Sequence, residues 1–489
     1  MPRSRGSGHD AVSMNLSDAG PDALHWWTAR RLTAAMRKRE LSVREAMSWH
    51  LARIESVNPR VNAIVSLRPD GALAEAAAAD ERAAAGGEPL GPLHGLPIAI
   101  KDLEDTAGIR TTYGSVAFAD NVPAVDSLVV QRLRAAGAIV VGKTNTPEFG
   151  VGSHTFNEVF GATRNPWAPD RSAGGSSGGA GAALAAGLIP IADGSDHGGS
   201  IRNPASFNNV VGLRPTPGLV PDSGQTDVWD VASVVGPMAR TVGDLALMLT
   251  AISAPDARSP LSHGDPVTFA AELRGDLSGL RVAWCPDLGG LPIEPGVLAV
   301  LDGARAQMDT LGCLVSDVDL DLRAADEAFE TLRAVAFVRA FAPILPTLRE
   351  AAKATLLWNI EQGMALDGPA VARAVAARSA AFASVAELLE RFDVLVAPAA
   401  QVVPFAVELE YPAQVAGVVM PHYLGWMRVC SRITVSAHPV AAVPAGFTDS
   451  GLPVGMQFVG RYGDDRRLLE HAAAWEAATR LTERHPPLD

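Results

Sequence analysis

The feature that most restricts how this chain can fold is a run of small residues at 172–202, SAGGSSGGAGAALAAGLIPIADGSDHGGSIR. Two serine-glycine clusters, 174–179 and 198–200, are joined by an alanine-rich segment without a charged side chain. Glycine lets the backbone come close to a neighbour and take positive φ, but it loses more entropy on folding than any other residue. Two such clusters around an apolar core therefore mark places where main chain, not side chain, must approach something. A flexible linker would be polar and unpatterned, and this run is neither. We read 180–188 as a tightly packed buried helix, which would put both serine clusters at the ends of rigid elements, where a reacting hydroxyl is held in place.

The remaining strand and helix signals alternate. Helical spacing covers 22–39 and resumes after Ser42, whose spacing to Glu45 forms a capping box, with Pro59 expected to end the second helix. A short strand over 62–67 precedes an alanine-rich helix over 70–85. Residues 95–102, GLPIAIKD, form an apolar strand that finishes on Lys101. Helix 126–136, strand 138–141, a strand and turn at 210–220, and a helix over 236–252 follow. Strand 281–284, helix 295–311 and strand 313–317 give a β-α-β unit. Residues 323–392 are almost wholly helical, 393–397 and 440–443 read as strands, 454–459 is a further apolar segment, and a helix begins at 464. The irregular, aromatic stretch 404–426 is the expected substrate-facing wall. Such alternation predicts an α/β protein, with a mixed or mostly parallel β-sheet covered by helices on both faces. We expect a single catalytic domain over 21–489, with a helical substrate-side subregion at about 323–430.

Composition narrows the function. The formal charge of -13 lacks the clustered Lys and Arg of a nucleic-acid surface. The longest uncharged run, 174–192, is too polar to span a bilayer, so neither nucleic acid nor membrane is an expected partner. Cys285, Cys313 and Cys430 are odd in number and free of metal-ligand spacing; no metal or cofactor is expected, and a reducing, cytoplasmic setting fits. The first twenty residues carry no apolar signal segment and read as a disordered extension, with Met14 as an alternative start.

Two familiar patterns fail on context. Gly137, Gly142, Lys143 and Thr144 match a phosphate-binding loop, but the pattern requires a strand before, a loop between the glycines and a helix after. Here a helix comes before, a strand between, and Pro147 soon after. Gly174-Gly175-Ser176-Ser177-Gly178 matches G-x-S-x-G, yet the preceding RNPWAPDRS is not the strand an α/β-hydrolase elbow needs. Successive main-chain N–H groups at His197, Gly198, Gly199 and Ser200 could instead converge on one oxyanion.

Lys101 in GLPIAIKD, GGSSGG at 174–179 and GSDHGGSIR at 194–202, in that order, resemble the amidase signature family, with a likeness extending from about residue 23 to the last helix. The resemblance implies an amidase-signature fold, a central mixed β-sheet covered by helices on both faces, and a Ser-Ser-Lys triad: Ser200 as nucleophile, Ser176 as bridging serine behind a cis peptide bond from Gly175, and Lys101 as base. A lysine is a base only when neutral, so burial or a nearby positive charge must lower its pKa. Ser177, Asp196 and Arg202 would hold the loops. His197 departs from the small or aliphatic residue common at its position; either its backbone alone matters, or its imidazole shapes the leaving-group side or the pH profile. Phe149, Gly150 and Val151 would line the pocket beside Ser176, with Tyr423, Trp426 and Trp229 as weaker candidates.

The function that follows from the likeness is cleavage of a C–N bond in a small-molecule amide or carbamate (urethane) through an acyl-enzyme, by a monomer or homodimer. With no cationic ring evident, a neutral, moderately apolar substrate is expected. The alternative is the catalytic subunit of a glutamine-dependent tRNA amidotransferase, although TNTPEFG at 144–150 differs from the NMDEFAMG-like string expected there.

Overall fold

The computed structural model describes residues 23–86, 90–224, 227–348 and 351–488; the extension expected over 1–20 lies outside them. Among the described residues eleven strands join in one sheet, and three two-stranded ribbons stand apart from it. In chain order its members are β1 (Ile64–Leu67), β2 (Pro97–Lys101), β3 (Ile139–Thr144), β4 (Ile191–Asp196), β5 (Val211–Arg214), β6 (Val234–Ala239), β7 (Arg281–Trp284), β8 (Leu314–Asp317), β9 (Val394–Pro398), β10 (Val440–Phe447) and β11 (Pro453–Val459). Across the sheet they run β1-β3-β2-β4-β6-β5-β10-β11-β9-β7-β8.

The sheet is mixed, as expected. β2 is parallel to both β3 and β4, and β7 is parallel to β8 and β9. The other neighbours are antiparallel. Parallel neighbours require a crossover: helix Leu128–Ala135 lies between β2 and β3 in the chain, and the small-residue helix Gly178–Ala185 between β3 and β4. Every residue of that second helix is buried. Its glycines permit the close approach, since a Cβ on Gly179 would lie 2.3 Å from the Asn145 amide nitrogen and 2.8 Å from the Ala63 carbonyl oxygen. β2, β3 and β4 consequently end side by side at Lys101, Thr144 and Asp196, and ligands of open α/β sheets collect outside such carboxyl ends.

Four local expectations change. Pro59 sits inside the last turn of helix Val43–Val61, which stops at left-handed Asn62; so near a helix end, a missing N–H removes too little to terminate it earlier. Strand β4 was not legible, because Asp193, Gly194, Ser195 and Asp196 disguise it. Residues 236–252 divide into strand β6 and a helix, Val242–Ile252, capped by Thr241 on the Asp244 amide; sandwiching between β4 and β5 overrides the poor strand propensity of Gly236 and Pro237. The segment before Ser176 does contain a strand, Ala168–Ser172, but it lies outside the large sheet, pairing with Arg164–Asn165 and bridging at Arg171 to Ala406.

The phosphate-loop likeness dissolves: Gly142 and Lys143 are strand residues of β3, and the Lys143 ammonium is buried against the Glu104 carbonyl and the hydroxyls of Thr106 and Thr111. All three cysteines are free and buried. Among the described residues, one segment, Ala324–Leu348, is long and apolar enough to cross a membrane by length and composition. Its main helix, Ala324–Phe341, packs against helices Ala354–Met364, Gly368–Arg391 and Arg428–Val435.

Candidate active site

Lys101 is completely buried at the end of β2. Its backbone N–H donates to Asp193 Oδ1 on β4, at 2.9 Å. Its Nζ contacts three hydroxyl oxygens: Ser176 Oγ and Ser177 Oγ at 2.8 Å each, and Ser195 Oγ at 2.9 Å. The Gly175–Ser176 peptide bond is cis. Burial pulls the Lys101 amine from its ordinary 10.5 down to about 8, while the negative charges of Asp193, Glu104 and Asp196 work in the opposite direction.

Three hydroxyl neighbours suit both protonation states. An ammonium has three protons to donate, one to each serine. A neutral amine keeps two, for Ser177 and Ser195, and presents its lone pair to the Ser176 hydroxyl. Ser176 is therefore placed to hand a proton to Lys101.

Ser200 follows β4 in the loop that β4 delivers. The Ser177 amide donates to the Ser200 carbonyl at 3.0 Å, which ties the two serine clusters together. Ser176, Ser195, His197 and Ser200 all line one chamber of about 310 Å³, within the size range of small-molecule sites.

The loop is held by a buried ion pair. Arg202 donates from Nε to Asp196 Oδ2 at 3.0 Å and from Nη2 to Oδ1 at 2.8 Å. It also reaches the Cys430 carbonyl, Gln457 Oε1 and Thr434 Oγ1. Asp196 in turn accepts from the amides of Gly199 and Ile201. Burial alone would raise the Asp196 carboxyl, but Arg202 and Arg214 outweigh it and hold that group well below the usual carboxylate range.

The oxyanion expectation narrows on this point. The Gly199 amide is already engaged by Asp196 Oδ1 at 3.0 Å. Among the described residues the amides of His197, Gly198 and Ser200 have no internal acceptor, so three of the four expected donors are available.

His197 contributes more than backbone, though not a charge. Its ring lies edge-on to Phe329, with centroids 5.5 Å apart, and its Nε2 is buried without a partner. Burial, reinforced by Arg333, pushes its pKa down to about 3, which favours the neutral imidazole.

The chamber walls differ from the expected ones. Phe149 and Gly150 do line it, both at positive φ, 47° and 71°; for Phe149 that is an uncommon conformation, of the kind found where the surroundings enforce it. Val151 is buried beside them, its carbonyl accepting from Lys353 Nζ. Tyr423 and Trp426 are absent from the lining. Tyr423 is buried behind Arg333 and Asn359, both of which donate to its hydroxyl, and Trp426 packs on Phe405 with ring centroids 5.4 Å apart. Trp229 is 65% exposed. The buried aromatic residues of the 404–426 stretch, Phe405, Tyr423 and Trp426, therefore furnish core, because their rings find partners within the protein.

The wall is built instead by helix Ala324–Phe341, through Arg333, Ala336, Phe337, Arg339, Ala340 and Phe341. The readable sign of this was an apolar stripe at helical spacing, Ala336, Phe337, Ala340 and Phe341, carrying Arg333. Ser195 was also missed, although it stands in the GSDHGGS string two residues before His197.

A buried lysine bonded to clustered serines thus lies beneath a chamber of small-molecule size. The comparisons with known proteins give the family. The family model described as Amidase matches residues 45–469, and the chain belongs to the amidase family. It is 37% identical to an acylamidase of Rhodococcus erythropolis, over 95% of this chain and 98% of that protein. It is also 36% identical to the A-type subunit of the glutamyl-tRNA(Gln) amidotransferase of Moorella thermoacetica, over 95% and 99%. Among solved structures, a bacterial aryl acylamidase belonging to the amidase signature family superposes with a TM-score of 0.88 at 29% identity, covering 95% of this chain and 99% of that one. A 6-aminohexanoate cyclic dimer hydrolase gives 0.82 at 28% identity, with the same coverage.

Proposed function

We propose that this chain is a stand-alone serine hydrolase that opens the C–N bond of amides, and of carbamates presenting the same carbonyl, through an acyl-enzyme. The observation that carries the reading is the 2.8 Å contact between Lys101 Nζ and Ser176 Oγ, made below a chamber that Ser176 and Ser200 both line.

Ser200 Oγ attacks the carbonyl carbon as its proton passes to Ser176, whose own proton passes to neutral Lys101. Negative charge gathers on the carbonyl oxygen, where the free amides of His197, Gly198 and Ser200 stabilise it. Collapse breaks the C–N bond, and the proton returns from Lys101 through Ser176 to the departing nitrogen. Water, activated along the same path, then releases the acid and regenerates Ser200. Phe149, Phe337 and Phe341 give the chamber an aromatic side suited to an aryl group, in keeping with the aryl acylamidase among the structural neighbours.

A second reading has specific support: the A-type subunits of tRNA amidotransferases match nearly the whole chain. The two separate in one experiment. Purified chain, without partners, is incubated with anilides, aliphatic amides and carbamates beside a Ser200→Ala control. Turnover by the wild type that Ser200→Ala abolishes supports the hydrolase; turnover that persists in Ser200→Ala refutes its mechanism, and activity only with added partner proteins favours the second reading.

A further inference from the structure

The chamber holds a charge that the chemistry above does not use. Arg333 lines it and is only 5% exposed. Its Nε and Nη2 both donate to the Tyr423 hydroxyl, at 3.3 and 3.2 Å. That oxygen also accepts from Asn359 Nδ2 at 2.7 Å, and a phenol cannot neutralise a cation. The guanidinium carbon stands 4.4 Å from the Phe337 ring centroid and 6.0 Å from that of Tyr423. Among the described residues Nη1 has no acceptor, and no carboxylate comes within ion-pair distance of any Arg333 nitrogen.

The other cation on the wall is paired, since Arg339 lies between two carboxylates, one of which, Asp230, also lines the chamber. Arg339 meets Asp227 at 2.8 Å and Asp230 at 3.5 Å, and His197 is neutral. Arg333 is thus the one arginine of the described lining without a carboxylate partner, fixed on aromatic rings with one edge of its fork unused. A buried charge is costly unless paired, and a guanidinium favours planar two-point pairing with a carboxylate.

We infer that Arg333 anchors an anionic group on the substrate, so that the amides cleaved here carry a carboxylate, or a group of like charge and shape, remote from the scissile bond. The inference rests on the hydrolase reading and replaces the expectation of a neutral substrate. Arg333 is then a specificity-determining residue: it binds the far end of the substrate and takes no part in bond cleavage.

Two matched pairs test it: glutaric acid monoanilide against pentananilide, which places the charge on the acyl side, and 4-acetamidobenzoate against acetanilide, which places it on the leaving group. For each pair, kcat/KM is measured with wild type, Arg333→Gln and Arg333→Lys. A hydrogen-bonded charge contact contributes about 1.5–3 kcal/mol, equivalent to roughly ten- to a hundredfold. Wild type should therefore prefer the charged member of at least one pair by about tenfold or more. Arg333→Gln should erase that preference, mainly through KM, and Lys should restore part of it. A purely structural role would lower both members of a pair alike and leave the ratio unmoved. Equal rates on charged and neutral members overturn the anchor and leave the hydrolase standing. Hydrolysis of none overturns the hydrolase, and the anchor is then decided by calorimetric binding of glutarate against 1,5-pentanediol: tighter glutarate binding to wild type supports it, and equal binding overturns it. That calorimetric comparison also decides the matter should Arg333→Gln fail to fold.

Discussion

Replacing Lys101 by methionine keeps the stem of the side chain and removes the amine that contacts Ser176. Burial brings the wild-type amine from 10.5 to about 8, a change equivalent to about 3 kcal/mol of lost ammonium stability. At pH 7 about one molecule in eleven then holds the neutral base, where an ordinary lysine would supply about one in three thousand. Environment alone thus raises the working fraction roughly three-hundredfold. Because the base acts when deprotonated, kcat/KM should climb as pH rises through about 8 and level off above it. The Lys101→Met enzyme should lose a factor on the order of 10²–10⁴ and that limb with it, read as kcat/KM on an anilide from pH 5.5 to 10. Burial also brings Lys143 down to about 8 and Glu104 up to about 8, so the limb needs an owner. Lys143→Met should retain it. Undiminished turnover in Lys101→Met, or a limb that vanishes with Lys143 instead, would refute the assignment.

Two further expectations concern the scaffold. Arg202→Met strands the Asp196 carboxylate, buried with Arg214 as its remaining cation, and removal of one partner of a buried pair costs about 3–5 kcal/mol; the urea midpoint should fall accordingly, and a loss below about 1 kcal/mol would show that the pair is not what holds the loop. A Cβ on Gly179 meets backbone of Asn145 and Ala63, whereas one on Gly303 meets nothing within 4 Å. Gly179→Ala should therefore destabilise by about 1–3 kcal/mol or more, while Gly303→Ala, inside helix Pro295–Thr310, should stabilise by about 0.5–1 kcal/mol; the same denaturation assay reads both, and equal effects would show that the close approach at Gly179 is not limiting.

What the sequence determined by itself was the inner site, because its constraints are local. Glycine at 174–179 and 198–199 reports a backbone that must come close, and an apolar strand ending on Lys101 reports a lysine without water. Order and spacing of those three strings pointed to the family, and with it to a mixed sheet. The tertiary structure decided everything that depends on what faces what. β4 is a strand because β2 and β6 supply its hydrogen bonds on either side, despite residues that favour turns. Ser195 touches Lys101 only because adjacent strands bring them into register. The Gly199 amide drops out of the four expected oxyanion donors because Asp196, itself fixed by Arg202, captures it. Tyr423 and Trp426 became core and helix Ala324–Phe341 became wall, since an aromatic stretch and an apolar helix bury themselves equally well until their neighbours are known. The chamber's charge belongs to the same class: an arginine at 333 is visible in the sequence, but only the packed fold shows whether a carboxylate has come to meet it.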